Sequence, residues 1–183
     1  MEYFKKIFKE SIVVVIMSSI MGVFSGTLLS SNEEIIYAIP IFIMILPALN
    51  SLIGDMATVL ISRLTTHLYI GLIPPKIQFS KSLKENFIGL LLTIVLSLGF
   101  LLILGYGVVF FSGMVIVNPL IIIIIIIFTI MILFFLMFIF LFISAIFLFK
   151  RGKDPNNFLI PFVTSSADFL TPLLLIIFIQ IFI

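Results

Sequence analysis

Long apolar runs separated by short polar segments dominate this chain. Five runs reach the roughly 20 apolar residues that a membrane-crossing helix requires: residues 8–30, 35–61, 86–112, 119–149 and 157–183. The second and fourth are longer than a bilayer needs, so they tilt or extend past it. The connections are short. SSNEE (30–34) predicts an outer turn, FSGMVIVNP (111–119) an uncharged outer loop, and FKRGKDPNN (149–157) an inner turn. In that inner turn Gly152 and Pro155 act as breakers, and Asn156 or Asn157 is the expected N-cap. GLIPPKIQFSKSLKEN (71–86) is the longest polar stretch. Its Pro74–Pro75 pair stops the preceding helix, and SKSLKEN reads as a short amphipathic lead-in to the third span.

Composition makes the membrane reading firm. Of the 183 residues, 63% are hydrophobic and 10% charged, and mean hydropathy is +1.45. A water-soluble domain of this length needs more polar surface over its core. The placement of charge then sets orientation. Lys5, Lys6 and Lys9 precede the first span, Arg63, Lys76, Lys81 and Lys84 follow the second, and Lys150, Arg151 and Lys153 follow the fourth. Counted alternately, all of them fall on one side, and the other side receives Glu33 and Glu34. The positive-inside rule therefore predicts a cytoplasmic N-terminus and an outer C-terminus. The net charge of +2 reports topology and not nucleic-acid binding. SGTLLSS offers no A-x-A-type cleavage site, so the first span is read as retained and not as a signal peptide. The absence of cysteine excludes disulfides, Fe–S clusters and thiolate metal sites.

Inside the spans, three patterns differ. The fourth span carries only Thr129 and Ser144 as polar side chains; apolar all round, it is expected to face lipid. Small residues recur at four-residue spacing in the first span (Ser18, Gly22, Gly26) and the third (Gly89, Thr93, Ser97), a pattern read as close helix packing. The second and fifth spans instead carry polar stripes. Positions i, i+4, i+7 and i+11 share one helix face. Ser51, Asp55, Thr58, Ser62 and Thr65 fall on such a face, as do Asn157, Pro161, Thr164, Asp168 and Thr171.

Depth sharpens the chemistry. At 1.5 Å per residue, Asp168 lies about 16 Å in from Asn157, near the bilayer midplane. Asp55 is expected about 30 Å below Ile35, at the cytoplasmic mouth, where it meets water or pairs with Arg63. A carboxylate at the midplane marks an ion or proton path. Prolines reinforce this, because each removes the hydrogen bond to the carbonyl four residues earlier. Pro172 frees the carbonyl of Asp168, Pro161 that of Asn157 and Pro47 that of Ile43, and such groups are tolerated in membranes where they line a cavity or bind ions. A kink that serves shape alone is the other reading. Carboxylate, hydroxyl and carbonyl oxygens are hard donors that favour Mg²⁺, Ca²⁺ or Mn²⁺. One chain has few carboxylates, which suits a cation that keeps much of its hydration, as Mg²⁺ does. Two chains about a two-fold axis would double the donor set.

PALNSLIGDMATVLISRLTTHLYIG (47–71) resembles the signature of the MgtE-like and solute carrier family 41 magnesium transporters. Pro47, Ala48, Leu49, Leu52, Gly54, Leu60, Ser62, Arg63, Leu64, Thr66, Ile70 and Gly71 are in register with it. IPFVTSSADFLTPLL (160–174) is similar to that family's last-helix pattern, with Ile160, Pro161, Thr164 and Asp168 matching. The resemblance implies an all-α integral membrane protein of five transmembrane helices; the chain is expected to form one such domain over 1–183, its loops being too short for the soluble regulatory domain that MgtE carries. It implies a cation path between two five-helix units, a homodimer here, lined by the second and fifth spans. Asp168 would bind the cation, with Thr164 and Thr171 nearby and Asp55, Ser51 and Thr58 at the inner mouth. Asn50, Gly54, Ser62, Arg63, Thr66, Pro161 and Pro172 would line or shape the path. Mg²⁺ is the implied substrate, carried across the cell membrane. This chain departs from the pattern at Asp55, where the family usually has Asn, and at Ala57, where it often has an acid. Two other functions fit parts of the sequence. One is a non-transporting membrane subunit. The other is an intramembrane aspartyl protease, which LIGD (52–55) fits poorly because it lacks the first glycine of GxGD and no Tyr-Asp precedes it.

Overall fold

The computed structural model describes residues 2–78, 80–114 and 117–182; within the first ten residues it describes the side chains of Phe4, Lys5 and Phe8. Phe79 of the 71–86 stretch, Val115 and Ile116 of the 111–119 loop, the end of the last span at 183 and the side chains of Lys6 and Lys9 lie outside the described residues. The described chain folds into α1 (Glu2–Ser31), α2 (Glu33–Ala38), α3 (Pro40–Tyr69), α4 (Lys81–Phe111), α5 (Pro119–Lys150) and α6 (Pro155–Phe182). All but the short α2 are long and apolar enough to cross a membrane.

Local chemistry sets the boundaries. The second span begins at Pro40 and not at Ile35, because the helix breaks at Ile39 (φ −127°, ψ 84°) and Pro40 restarts it. It also continues past residue 61 to Tyr69, where Gly71 in the left-handed region (φ 76°) turns the chain away. SKSLKEN is not a separate lead-in. Ser80 caps α4 by accepting the Leu83 N–H at 3.2 Å, so the segment forms the first turns of α4 itself. The cap of α6 is Asp154 and neither expected asparagine: its Oδ1 accepts the Asn156 N–H at 2.9 Å, with Pro155 at the first helical position.

The helices alternate in direction, which gathers the Lys- and Arg-bearing segments at one end and Glu33 and Glu34 at the other. α6 is central. It packs against α1, α3 and α5, while α4 leans chiefly on α3. The uniformly apolar α5 is expected to face lipid, but only one face, with Ile124, Phe128, Leu136 and Ile139, is exposed, and the other is part of the core. Ile125, Ile126, Leu133, Phe134 and Leu141 are buried against its neighbours, and Phe87 of α4 rests on Phe134 and Phe138 at 5.4 and 5.0 Å between ring centroids. The most lipid-exposed span is α1, with 6% of its apolar window buried against 44% for α5.

The small-residue stripes do not make the close contacts. A Cβ on Gly22, Gly26 or Gly89 would meet open space. The tight approach is between α4 and α3, where a Cβ on Gly105 would lie 2.6 Å from Ile45 Cγ2. A looser one brings Gly54 to Thr164, at 3.7 Å by the same measure.

Candidate functional site

The α3–α6 contact builds the site. Because the two helices run antiparallel, Asn50 meets Asp168 one turn from where Gly54 meets Thr164. At Gly54 the backbones come near enough that a Cβ would rest in ordinary contact with Thr164, at 3.7 Å. The Asn50 side chain faces the Asp168 carboxylate, and its Oδ1 is buried without a hydrogen-bond partner in the protein. Asp168 itself is exposed at the midpoint of α6.

The carbonyl that Pro172 releases is occupied. Ser25 of α1 donates its hydroxyl to the Asp168 carbonyl at 2.6 Å. That oxygen therefore ties α1 to α6, and the carboxylate is the part of Asp168 left open. After Pro161 the hydroxyls bond back within α6: Thr164 donates to the carbonyls of Pro161 (3.0 Å) and Ile160 (3.2 Å), and Ser165 donates to Pro161 at 3.0 Å. A hydroxyl whose proton is committed to a carbonyl keeps its lone pairs free to accept, so Thr164 presents oxygen to a cation. Thr58 is arranged alike, donating to the Gly54 carbonyl at 2.9 Å, as is Thr66 toward Ser62 at 2.9 Å.

Three expected neighbours lie elsewhere. Thr171 is fully buried, with its Oγ1 unpartnered. Three residues turn a helix by about 300°, which rotates Thr171 about 60° off the Asp168 direction and into the core. Thr65 of the α3 stripe is buried for the same kind of reason. Asp55 sits at the midpoint of α3, not at its end, since α3 starts later and ends later than the hydropathy run. It does not pair with Arg63. Ser51 donates to its Oδ2 at 3.3 Å, and Arg63 donates to Asn86 at 3.4 Å.

Asp55 and Asp168 also open on opposite flanks of α3. Five residues separate Asn50 from Asp55, about 140° around the helix. Asp55 and Ser51 line a cavity of about 760 Å³ between α3 and α4, with Ala48 and Ser97. A separate cavity of about 520 Å³ lies between α1 and α6, lined by Ser11, Ser18, Ser19 and Asn157 with Val14 and Val15, and ends at Pro161. Two carboxylates that share a proton across one site, as an aspartyl protease needs, are not found in this arrangement. Among the described residues no three His, Asp or Glu side chains come together.

The MgtE family model, described as a divalent cation transporter, matches residues 46–178. The chain belongs to the MgtE family. The match spans α3 through most of α6 and so contains Asn50, Asp55, Thr164 and Asp168. No curated protein and no solved structure matched the chain. The family is one of transporters, and with five apolar spans this member is a multi-pass membrane protein.

Two features went unread in the sequence. One is Ser25, whose serine sits on the α1 face that also carries Ser18 and Met21, the latter touching Ser166 of α6. The other is the network between the C-terminal end of α3 and the start of α4, where His67 Nδ1 lies 2.8 Å from Ser82 Oγ and Asn86 joins Arg63 to the Ser82 carbonyl. Both are long-range pairings that no helical period encodes.

Proposed function

We propose that this MgtE-family protein carries Mg²⁺ across the cell membrane as a homodimer, along a path lined by α3 and α6, with the Asp168 carboxylate as its central cation ligand. The observation that carries the proposal is Asp168 itself, an acid left exposed halfway along an apolar helix. A charge at that depth against lipid is costly and is normally turned toward water or a polar partner. Asn50, Thr164 and the unshared lone pairs beside Pro161 supply further neutral oxygens, a donor set suited to a hard cation that keeps part of its water shell. Ca²⁺ and Mn²⁺ are the competing ions.

What one chain leaves open supports the homodimer. The face of α6 that carries Asp168 and Asn157 is exposed, as are Pro47 of α3 and, on the side toward α4, Ala48, Ser51 and Asp55. A second copy would cover this face and oppose two Asp168 carboxylates across a two-fold axis. Inward flux then needs no further energy source, since a divalent ion gains about 4.6 kcal/mol per 100 mV of membrane potential. On this account Asp55, Ser51 and Thr58 flank the inner half of the path, and Ser62, Arg63 and Thr66 lie beyond them toward its cytoplasmic end.

The test is cation flux into liposomes containing the purified protein under an inside-negative potential. Mg²⁺ entry that exceeds Ca²⁺ and Mn²⁺ entry supports the proposal. Entry of Ca²⁺ or Mn²⁺ in preference to Mg²⁺ would overturn the assigned substrate. No flux of any divalent ion from a folded dimer, with Na⁺ or H⁺ gradients also supplied, would favour a non-transporting subunit.

A further inference from the structure

The connection from α5 to α6 places two cations at the mouth of an apolar groove. Its geometry is fixed at both ends. The Lys153 N–H donates to the Leu148 carbonyl at 3.0 Å and the Gly152 N–H to Phe149 at 2.9 Å, with Gly152 at φ 68°. This is the paired 6→1 and 5→2 closure of a helix C-terminus, and it needs a glycine in the left-handed region. Asp154 then caps α6 through Asn156. Held this way, Arg151 lays its guanidinium carbon 4.0 Å from the centre of the Phe147 ring, and Lys153 sets its ammonium 5.1 Å from that of Phe158.

Phe147 and Phe158 are themselves walls of a cavity of about 510 Å³ between α1, α5 and α6, which Met17, Phe140 and Phe162 continue. That volume lies within the range of about 300–1,000 Å³ typical of ligand sites. Lys150, Arg151 and Lys153 outnumber the one acid, Asp154, whose Oδ1 is committed to its cap. The one ion pair among the described residues is Lys81–Glu85, on a different connection. A second apolar groove, of about 780 Å³ between α4 and α5, has Lys84 alone as its cation.

We propose that the α1–α5–α6 groove binds an anionic phospholipid, with an acyl chain along Phe140, Phe147 and Phe162 and the phosphate held by Arg151 and Lys153. Lipid tails are as apolar as the groove, so the tail alone confers little preference over bulk lipid. Selectivity comes from the head group. Basic residues at the end assigned to the cytoplasm attract anionic lipids, and a guanidinium grips phosphate through two parallel hydrogen bonds. Stacking on Phe147 holds that fork in place beforehand, which lowers the ordering cost of binding. A phosphatidylcholine presents the same phosphate, but its own cation offsets the attraction.

Native mass spectrometry of the full chain, released from micelles containing equal phosphatidylglycerol and phosphatidylcholine of matched chains, tests this. At roughly fivefold per cation, the expected preference for phosphatidylglycerol is about 30-fold. The double variant Arg151→Gln/Lys153→Gln brings it near unity, and Lys84→Gln leaves it unchanged. Ser144→Phe, which fills the groove while keeping both cations, lowers phosphatidylglycerol retention. Soluble glycerophosphoglycerol does not compete, because it has no chain for the groove. Equal retention of the two lipids by the wild type, or a preference that survives the double substitution, would overturn the proposal. So would undiminished retention in Ser144→Phe, or competition by the soluble head group. Circular dichroism and gel filtration confirm that each variant is folded.

Discussion

Asp168 and Pro172 act as a pair. The proline withdraws the N–H that would bond the Asp168 carbonyl within α6, and Ser25 replaces it from α1 at 2.6 Å. Removing that hydroxyl leaves a part-buried carbonyl unsatisfied, so Ser25→Ala is expected to cost about 1 kcal/mol in thermal unfolding in detergent. In a Pro172→Ala background the helix regains its own donor, and the same Ser25→Ala change should cost clearly less. Equal costs in both backgrounds would contradict the pairing. Asp55 gives a contrasting case. It lies on the opposite flank of α3 with Ser51 as its partner, and the family resemblance puts Asn at this position. Asp55→Asn should therefore keep Mg²⁺ flux within a few-fold of wild type, and a flux lost entirely would place the main cation site on that flank. Much of this site was legible at residue scale. A lone acid amid apolar residues, with prolines four and seven residues away, needs no structure to be noticed. Thr171 was misread because a step of three residues drifts about 60° from its starting face, and a stripe written in threes and fours widens until its end turns inward.

Among the elements, α4 packs tightly on α3 at one point, and one glycine permits it. A Cβ at Gly105 would lie 2.6 Å from Ile45 Cγ2, and a β-branched side chain on a helix has one strongly preferred rotamer and little room to yield. Gly105→Ala is expected to destabilise by about 1–3 kcal/mol, seen as a lower Tm in detergent, whereas Gly99→Ala, which meets open space, should leave Tm unchanged or raise it. An unaltered Tm in Gly105→Ala would mean the two helices part without cost. The number of long helices and their alternation were readable because apolar length is a strong signal. The role of α5 was not. In water a uniformly apolar helix is a buried one, but in a bilayer the lipid side and the protein side of a helix are equally apolar, so hydropathy carries no information about which way α5 faces. The same equivalence hid the fact that Gly22 and Gly26 of α1 meet open space while Gly105 carries the close contact. The start of α3 was obscured because Ile35 to Ala38 are as apolar as the span they precede, and only the break at Ile39 separates them.

For the whole molecule, the proposed homodimer would cover the exposed residues of α3 and α6 with a second copy. The chain has no cysteine, so single cysteines can report on that contact. Ala48→Cys, exposed on α3, should cross-link two copies on oxidation in native membranes, while Leu136→Cys, exposed on α5, should not. The reverse pattern would move the two-fold axis to α5. The account rests above all on Asp168 as the point where the cation crosses. The most direct measurement compares Mg²⁺ uptake by wild type and Asp168→Asn, both reconstituted in liposomes and both checked as folded dimers. Uptake that falls to the level of empty liposomes in the variant is the predicted result. Uptake undiminished by the loss of that carboxylate would contradict the account.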